Sequence, residues 1–205
     1  MSSALVIALI DYGAGNVPSV ERALARLGVA TKRVSSPAEL AGARAIILPG
    51  VGHYRAIIRA LEENKLRAGL VEAITSGVPF LGICLGLQAL YSCSEEAPSL
   101  TGMKLFPGSV AALPFSVKLP HMGWNRLSIA QSSRLLEGIT KSDYFYFAHS
   151  FAVQAGSKEV VATCEHGTKF AAVIEQESIF ATQFHPEKSG AAGARLLENF
   201  VRLAA

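Results

Sequence analysis

Short runs, most of them apolar, alternate with helical patterns through the first half of the chain. Such runs are typical of strands that are covered on both faces of a sheet. The predicted strands are Leu5–Ile10, Val29–Val34, Ala45–Leu48 and Pro79–Ile83, and the predicted helices span about Asn16–Leu27, Tyr54–Ser76 and Leu85–Tyr91. This alternation predicts a parallel sheet with helices on both faces.

The first predicted helix has recognisable ends. Asn16 is a preferred N-cap residue, Pro18 is suited to the first turn, and Gly28 is suited to the stop. We therefore expect an ordinary helix with a side-chain cap at Asn16.

The second half of the chain changes character. Residues 103–130 are rich in proline, glycine and apolar residues but have no helical period. Four strands, partly antiparallel, are predicted at Tyr144–Val153, Val160–Cys164, Phe170–Glu175 and Ser178–Phe184, and a closing helix at about Ser189–Leu203. The predicted fold class is a three-layer α/β structure with an open mixed, mostly parallel sheet. No repeat or linker interrupts it, so one domain over residues 1–205 is expected, with no room for a second.

Composition excludes several classes of protein. Half of the residues are apolar and 17% are charged, which is typical of a globular chain. The net charge of +3 is small and scattered, so no nucleic-acid partner is expected. Residues 73–94 carry no charge, but their proline, glycines and hydroxyl groups favour a buried strand, turn and helix over a membrane span.

The N-terminus and the cysteines indicate a reducing compartment. The apolar run at the N-terminus is short and has no basic segment before it, so a signal peptide is not expected. The three cysteines, Cys84, Cys93 and Cys164, are an odd number without close pairing. We therefore predict a cytoplasmic protein without disulfides.

No cofactor and no metal ion are expected. The segment G-A-G-N at residues 13–16 has the first two glycines of a dinucleotide-binding fingerprint, but Pro18 stands where the third glycine belongs. No pair of histidine or cysteine residues has the spacing of metal ligands.

Cys84 is the strongest candidate for a nucleophile. It lies between two glycines in G-I-C-L-G at residues 82–86, after an apolar strand and before an apolar helix. That is the arrangement of a nucleophile elbow. The helix N-terminus favours the thiolate over the thiol, and the amide of Leu85 is placed to serve an oxyanion hole. The alternative is an inert core cysteine, which is the interpretation that we keep for Cys93 and Cys164.

A base and its orienting acid are predicted from His185-Pro186-Glu187, at the end of an apolar strand. Pro186 biases His185 toward extended backbone, in which residues i and i+2 point to the same side. His185 and Glu187 can then lie side by side, with the carboxylate fixing the imidazole tautomer of a Cys-His-acid triad.

Pro49-Gly50-Val51-Gly52 ends another predicted parallel strand. Glycine-rich backbone at that edge can present N–H groups to a developing oxyanion, so Val51 and Gly52 are candidate donors beside Leu85. The alternative is an ordinary strand-to-helix turn.

These motifs carry a family resemblance. G-I-C-L-G-L-Q at 82–88 and F-H-P-E at 184–187 resemble the class I (triad) glutamine amidotransferases, over essentially the whole chain. The resemblance implies that a Cys84–His185–Glu187 triad hydrolyses glutamine through a thioester. It also implies that the substrate is held by Gly52, Gln88, Glu96, Ser150 and Phe151.

Further motifs are similar to the glutaminase subunits of imidazole glycerol phosphate synthases, in histidine biosynthesis. They are D-Y-G-A-G-N at 11–16, P-G-V-G at 49–52, H-M-G-W-N at 121–125, Y-F-A-H-S-F at 146–151 and H-P-E-K-S at 185–189. This similarity implies a heterodimer with a (β/α)8-barrel cyclase that consumes the ammonia. The residues expected at or near the partner surface are Asn16, His121, Trp124, Tyr146 and Lys188.

Other interpretations remain open at the level of sequence. The chain could serve a different synthase, act as a cysteine peptidase or esterase on the same fold, or be a binding module without activity. Some single residues could have a structural instead of a functional role. Trp124 could anchor the core, Glu96 could be a solvated surface charge, and His149 could be a core histidine whose hydrogen bonds are all made within the protein.

Overall fold

The computed structural model describes residues 5–205. Residues 1–4, on which the expectation about a signal peptide partly falls, lie outside the described residues. The strands of the first half are β1 (Val6–Ile10), β2 (Ala30–Val34), β3 (Ile46–Gly50), β4 (Phe80–Cys84) and β5 (Cys93–Ser94). The helices of this half are α1 (Val17–Arg26), α2 (Pro37–Leu40), α3 (Tyr54–Glu63), α4 (Leu66–Thr75) and α5 (Leu85–Gln88).

The second half of the chain is mostly strand. It contains β6 (Ser109–Ala112), β7 (His121–Arg126), β8 (Ser128–Ile129), β9 (Tyr144–His149), β10 (Phe151–Val153), β11 (Val160–Glu165), β12 (Lys169–Gln176) and β13 (Ile179–Thr182). A 3₁₀ turn over Pro186–Lys188 then leads into helix α6, Gly190–Ala204. Among residues 5–205, no helix is long and apolar enough to cross a membrane.

One eight-stranded sheet organises the molecule, in the order β2-β1-β3-β4-β13-β12-β11-β8. The strands from β2 to β13 run parallel, and β12, β11 and β8 continue the sheet antiparallel. Two small sheets, β10-β6-β5 and β7-β9, stand apart from it. The predicted mixed, mostly parallel α/β fold is confirmed.

Each face of the large sheet carries its own hydrophobic core. Helices α1 and α6 cover one face through Val20, Leu24 and Phe200, among others. Helices α3 and α4 cover the other face through residues such as Ile57 and Leu70. Strands β3 and β4 are buried along their whole length, which explains why their sequences are continuous apolar runs.

The predicted helix Tyr54–Ser76 is wrong as a single element. The chain breaks at Lys65, whose backbone is left-handed with φ of 57°. The buried residues Leu61 and Leu66 are five positions apart, which is out of phase with a helical stripe. The break lets α3 and α4 each turn an apolar face toward the same core.

The predicted strand Tyr144–Val153 is also two elements. It breaks at Ser150, so that β9 pairs with β7 and β10 pairs with β6. The predicted helix Leu85–Tyr91 is correct in position, but its α-helical part ends at Gln88. Strand β7, which pairs with β9 along its whole length, was not predicted.

The turn between β4 and α5 depends on close backbone contact. A Cβ atom on Gly86 would lie 2.0 Å from the Leu48 carbonyl oxygen, and one on Gly82 would lie 2.7 Å from the Gly86 carbonyl. A carbonyl in a central strand has no freedom to move aside. The glycines around Cys84 are therefore required for packing, since neither has a positive φ.

We predict that Gly86→Ala lowers the free energy of unfolding by about 3 kcal/mol, because the added methyl group overlaps the Leu48 carbonyl. Urea unfolding followed by circular dichroism measures the change. The control is Gly69→Ala within α4, where the nearest atom is the movable end of Leu40 at 3.3 Å and helix propensity favours alanine. Equal stabilities of the two variants would contradict the packing argument.

Candidate active site

The predicted site residues meet at the carboxyl edge of the parallel strands. Gly50, the last residue of β3, pairs with Cys84, the last residue of β4. His185 lies three residues beyond the end of the neighbouring β13. This edge is where open α/β sheets place their ligands.

Cys84 has a strained backbone, with φ of 54° and ψ of −104°. A non-glycine residue in this region is uncommon and is found at functional turns. The turn directs the side chain into a cavity of about 250 Å³. The cavity is lined by Val51, Gly52, Cys84, Leu85, Gln88, Glu96, Ala148, His149, Ser150, Phe151, His185 and Lys188.

His185 and Glu187 form a buried pair. The His185 Nδ1 atom lies 3.0 Å from Glu187 Oε1, and their side chains are 2% and 1% exposed. Because a carboxylate accepts, Nδ1–H donates, and Nε2 is left to serve Cys84. The pairing was predicted, and the backbone of His185 is extended as predicted, with φ of −99° and ψ of 97°, but the segment after it is not. Pro186–Lys188 is a 3₁₀ turn rather than an extended segment, and the turn brings Glu187 back beneath the imidazole.

The surroundings of His185 favour its charged form. Burial lowers the pKa of the imidazole, but the negative sulfur of Cys84 and the Glu187 carboxylate outweigh burial and raise the pKa to about 10. The Cys84–His185 pair therefore places a cation beside the attacking sulfur. Such a pair holds both the nucleophile and the proton that a leaving group needs.

Asn16 is placed differently from its prediction as a side-chain cap. Its backbone is left-handed and its side chain makes no capping hydrogen bond to α1. Asn16 Nδ2 instead donates to Glu187 Oε1 at 3.2 Å, so this amide helps to orient the acid of the pair. The reason is positional: the loop after β1 ends at the same sheet edge as the 3₁₀ turn.

The three candidate oxyanion donors all line the cavity. Leu85 is the first residue of α5, so its amide N–H has no partner within the helix. Gly52 is exposed and has a φ of 93°, and a Cβ atom on it would meet nothing within 4 Å among the described residues. Val51 stands between it and the end of β3. Their role as donors stays a prediction.

The four remaining residues predicted to hold substrate share the same cavity. Gln88 Nε2 donates to the Phe151 carbonyl at 2.8 Å. Among residues 5–205, Gln88 Oε1 has no hydrogen-bond partner although it is buried. Glu96 is half-buried, and its Oε2 accepts from the Tyr54 amide at the start of α3 at 2.7 Å. Glu96 is thus anchored rather than freely solvated.

Two histidines beside the cavity form a directed chain. His149 Nδ1 donates to the Phe151 carbonyl at 3.0 Å, so its Nε2 must accept from His121 Nδ1 at 3.1 Å. The Asn125 amide lies 3.3 Å from His121 Nε2. Burial lowers the pKa of His121 to about 4 and that of His149 to about 3, so both stay neutral. His149 is thus a satisfied core histidine, whose ring also lines the cavity.

The residues predicted at the partner surface divide into two groups. His121 is 5% exposed and stacks on Phe147, so it lies beneath the surface, and its place near a partner stays a prediction. Trp124 is 55% exposed, which excludes a core anchor, and it contacts Tyr146 edge-to-face. Lys188 lies over the Tyr146 ring and also lines the cavity. We call Trp124, Tyr146 and Lys188 the rim patch.

Sequence reasoning missed Gln183, which is fully buried. Its Nε2 atom lies 3.5 Å from Cys84 Sγ. The contact depends on the register of β13 beside β4, so the spacing of residues along the chain contained no signal for it. Among residues 5–205, no group of three His, Cys, Asp or Glu side chains could hold a metal ion.

A comparison with known protein families identifies the family of this chain. The family model for glutamine amidotransferase class-I matches residues 8–204. The chain belongs to this family. Two solved structures have the same fold. "Crystal structure of glutamine amidotransferase", with a TM-score of 0.77 at 22% identity, covers 96% of this chain and 98% of its own. "Structure of PurLQS from Thermotoga maritima" has a TM-score of 0.76 at 20% identity and covers 98% and 99%.

Relatives within the amidotransferase family are similar over nearly their whole length. A protein of Methanothermobacter thermautotrophicus named imidazole glycerol phosphate synthase subunit HisH is 47% identical over 198 residues, which are 97% of this chain and 98% of the relative. A protein of the same name from Desulfitobacterium hafniense strain Y51 is 46% identical over 196 residues, covering 95% and 93%.

We predict that Cys84→Ala lowers the pKa of His185 by about one unit or more, because the negative sulfur that opposes burial is lost. Nitrogen NMR of the imidazole ring measures the titration, and the signal is assigned by its loss in His185→Gln. Cys93→Ala, which removes an exposed cysteine, is the control and leaves the titration unchanged. A pKa near 10 in Cys84→Ala would contradict the ion pair.

Proposed function

We propose that the chain is the glutaminase subunit of an imidazole glycerol phosphate synthase, which hydrolyses glutamine to glutamate and ammonia at Cys84. The observation that carries this proposal is the cavity where a strained Cys84 faces an imidazole held by a buried carboxylate, in a chain of the amidotransferase family. The names of the full-length relatives supply the pathway.

The proposed reaction uses the thiolate–imidazolium pair in two steps. In the first, the Cys84 thiolate attacks the side-chain carbonyl of glutamine, a C–S bond forms, and the C–N bond breaks as His185 gives its proton to the departing ammonia. In the second, neutral His185 takes a proton from water, the hydroxide adds to the thioester, and the thiolate leaves as glutamate is released. Glu187 keeps the imidazole in one tautomer throughout.

The cavity suits an amino acid that carries its own charges. Glu96 provides a carboxylate and Gln88 Oε1 an unused acceptor, which together fit the ammonium and amide hydrogens of glutamine. Backbone around Ser150 and Phe151 also lines the cavity and is assigned the carboxylate end. The amides of Val51, Gly52 and Leu85 are assigned to the oxyanion, where one donor is typically worth roughly 2.7–4 kcal/mol of barrier.

The partner in this proposal is a (β/α)8-barrel cyclase that consumes ammonia. Ammonia released into neutral water becomes ammonium, which is not a nucleophile, so the two sites must be joined by a sheltered path. The rim patch supports this arrangement, because exposed Trp124 contacts Tyr146, and Lys188, which lies over the Tyr146 ring, also lines the cavity. We assign a single amidotransferase domain to residues 1–205 and a cytoplasmic location, without nucleic-acid or membrane partners.

A glutaminase assay tests the function. We expect glutamine turnover to rise about 100-fold when the cyclase and its ligand are added, which is the typical effect of completing one oxyanion-hole donor. Cys84→Ala loses glutamine turnover at least about 1000-fold in the complex, while synthesis from added ammonium salts persists. Full turnover by the isolated chain would exclude the partner requirement, and turnover of peptide substrates would favour a peptidase.

The rim patch is tested by binding. Trp124→Ala should raise the dissociation constant of the cyclase complex by about 30-fold, because buried tryptophans at interface centres are each worth about 2 kcal/mol. Isothermal titration calorimetry measures the constant. Val6→Ala is the control, since Val6 is an exposed apolar residue at the amino edge of the sheet, opposite the cavity. An equal effect of both variants would remove the rim patch from the interface.

A further inference from the structure

A buried amide faces the sulfur of Cys84 from the same segment as the imidazole. Gln183 directly follows β13, where Thr182 pairs with Ile83 of β4, so Gln183 stands level with Cys84. It is 0% exposed, and its Nε2 lies 3.5 Å from Cys84 Sγ. Gln183 and Phe184 form a bend that leads to His185, and the side chains of Gln183 and His185 both contact the sulfur.

The orientation of the Gln183 amide follows from its neighbours. The Phe151 carbonyl can only accept, so the Gln88 NH₂ group faces it. The same nitrogen lies 3.1 Å from Gln183 Oε1, which accepts the second hydrogen of Gln88. The NH₂ group of Gln183 is thereby left to face the sulfur. The chain of hydrogen bonds from Phe151 to Cys84 therefore has only one direction.

We propose that Gln183 is a catalytic residue, whose side-chain amide donates a hydrogen bond to Cys84 Sγ and stabilises the thiolate. The proposal rests on the proposed function, in which Cys84 is the nucleophile. A hydrogen bond to an ionised acceptor is roughly twice as strong as one between neutral groups, and burial strengthens it further. The contact therefore favours the states in which the sulfur is charged.

Gln183 can donate to the sulfur at every stage of the proposed reaction. His185 gives its proton to the leaving ammonia, so it is neutral when the thioester is to be hydrolysed. Gln183 carries no charge at any pH and keeps its N–H groups through the whole cycle. When the sulfur departs from the thioester as a thiolate, Gln183 donates to it again. The amide thus assists both the formation of the nucleophile and its release.

Several titratable groups surround the sulfur and bear on any pH profile. His185 pairs with the sulfur. Tyr12 repels a negative sulfur only when its phenol is ionised, and burial raises the pKa of that phenol. The cavity adds Glu96, His149 and Lys188. These groups are all retained when Gln183 alone is changed, so a comparison of variants isolates the amide.

Alkylation by iodoacetamide measures the thiolate without glutamine or a partner, so its result is independent of the proposed function. Cys93 is exposed and would also react, so all proteins carry Cys93→Ser. Cys164 should not be alkylated at neutral pH, because burial raises the pKa of its thiol to about 12. The test variant is Gln183→Met, which keeps the volume but has no donor. The control is Thr182→Val, which removes a buried hydrogen bond to the Phe184 carbonyl but leaves the sulfur contact.

We expect Gln183→Met to move the half-maximal pH for alkylation of Cys84 upward by about one unit and, at pH values below that midpoint, to slow alkylation about tenfold, since one unit equals a tenfold change in the equilibrium. Thr182→Val should behave like the parent protein. Parent-like alkylation of Gln183→Met, with cooperative unfolding retained, would overturn the proposal.

A second measurement keeps the test independent of how well the variant folds. In the Cys93→Ser parent, the side-chain amide resonance of Gln183 should shift as Cys84 is alkylated, and the same resonance should be displaced in Cys84→Ala. If the Gln183 resonance shifts neither on alkylation of Cys84 nor in Cys84→Ala, the proposal is overturned even if Gln183→Met fails to fold.

Discussion

The contact of the Gly86 backbone with the Leu48 carbonyl is the constraint on which the site depends. It seats the first turn of α5 directly on β3, which leaves the chain no room between the end of β4 and the start of the helix. Cys84 must reverse direction alone, and its φ of 54° is the result. The same turn leaves the thiol at the helix N-terminus, beside the free amide of Leu85. Packing between a strand and a helix thus produces a chemical site.

A second constraint is the Phe151 carbonyl, which accepts from both Gln88 and His149. From Gln88, hydrogen bonds continue through Gln183 to the sulfur of Cys84. From His149, they continue to His121 of strand β7, which also carries Trp124. Because the carbonyl can only accept, it fixes the orientation of both chains of hydrogen bonds. The break of the predicted strand at Ser150 has its reason here, because it turns Phe151 out of β9 and into the cavity.

A feature could be predicted from the sequence when the residues that cause it are close together along the chain. The parallel strands could be predicted because burial on both faces leaves continuous apolar runs, and the elbow because its glycines adjoin Cys84. Strand β7 was missed because its pattern is inverted: His121 points inward, while Met122 and Trp124 are exposed. The Asn16–Glu187 bond and the Gln183–Cys84 contact join residues far apart in sequence. Only the register of the sheet brings these residues together, and sequence spacing does not contain that register.

The state of the nucleophile limits how a partner can control this enzyme. His185, held charged beside Glu187, already places a cation next to the Cys84 sulfur, and the Gln183 amide contacts the same sulfur, so a partner gains little by acting there. The amides proposed as oxyanion donors are different, since Gly52 is exposed, has a positive φ and has open space around it. Backbone at such a position can change orientation without repacking the core. In the proposed complex, control by the cyclase would therefore act on the amides after β3 rather than on the sulfur.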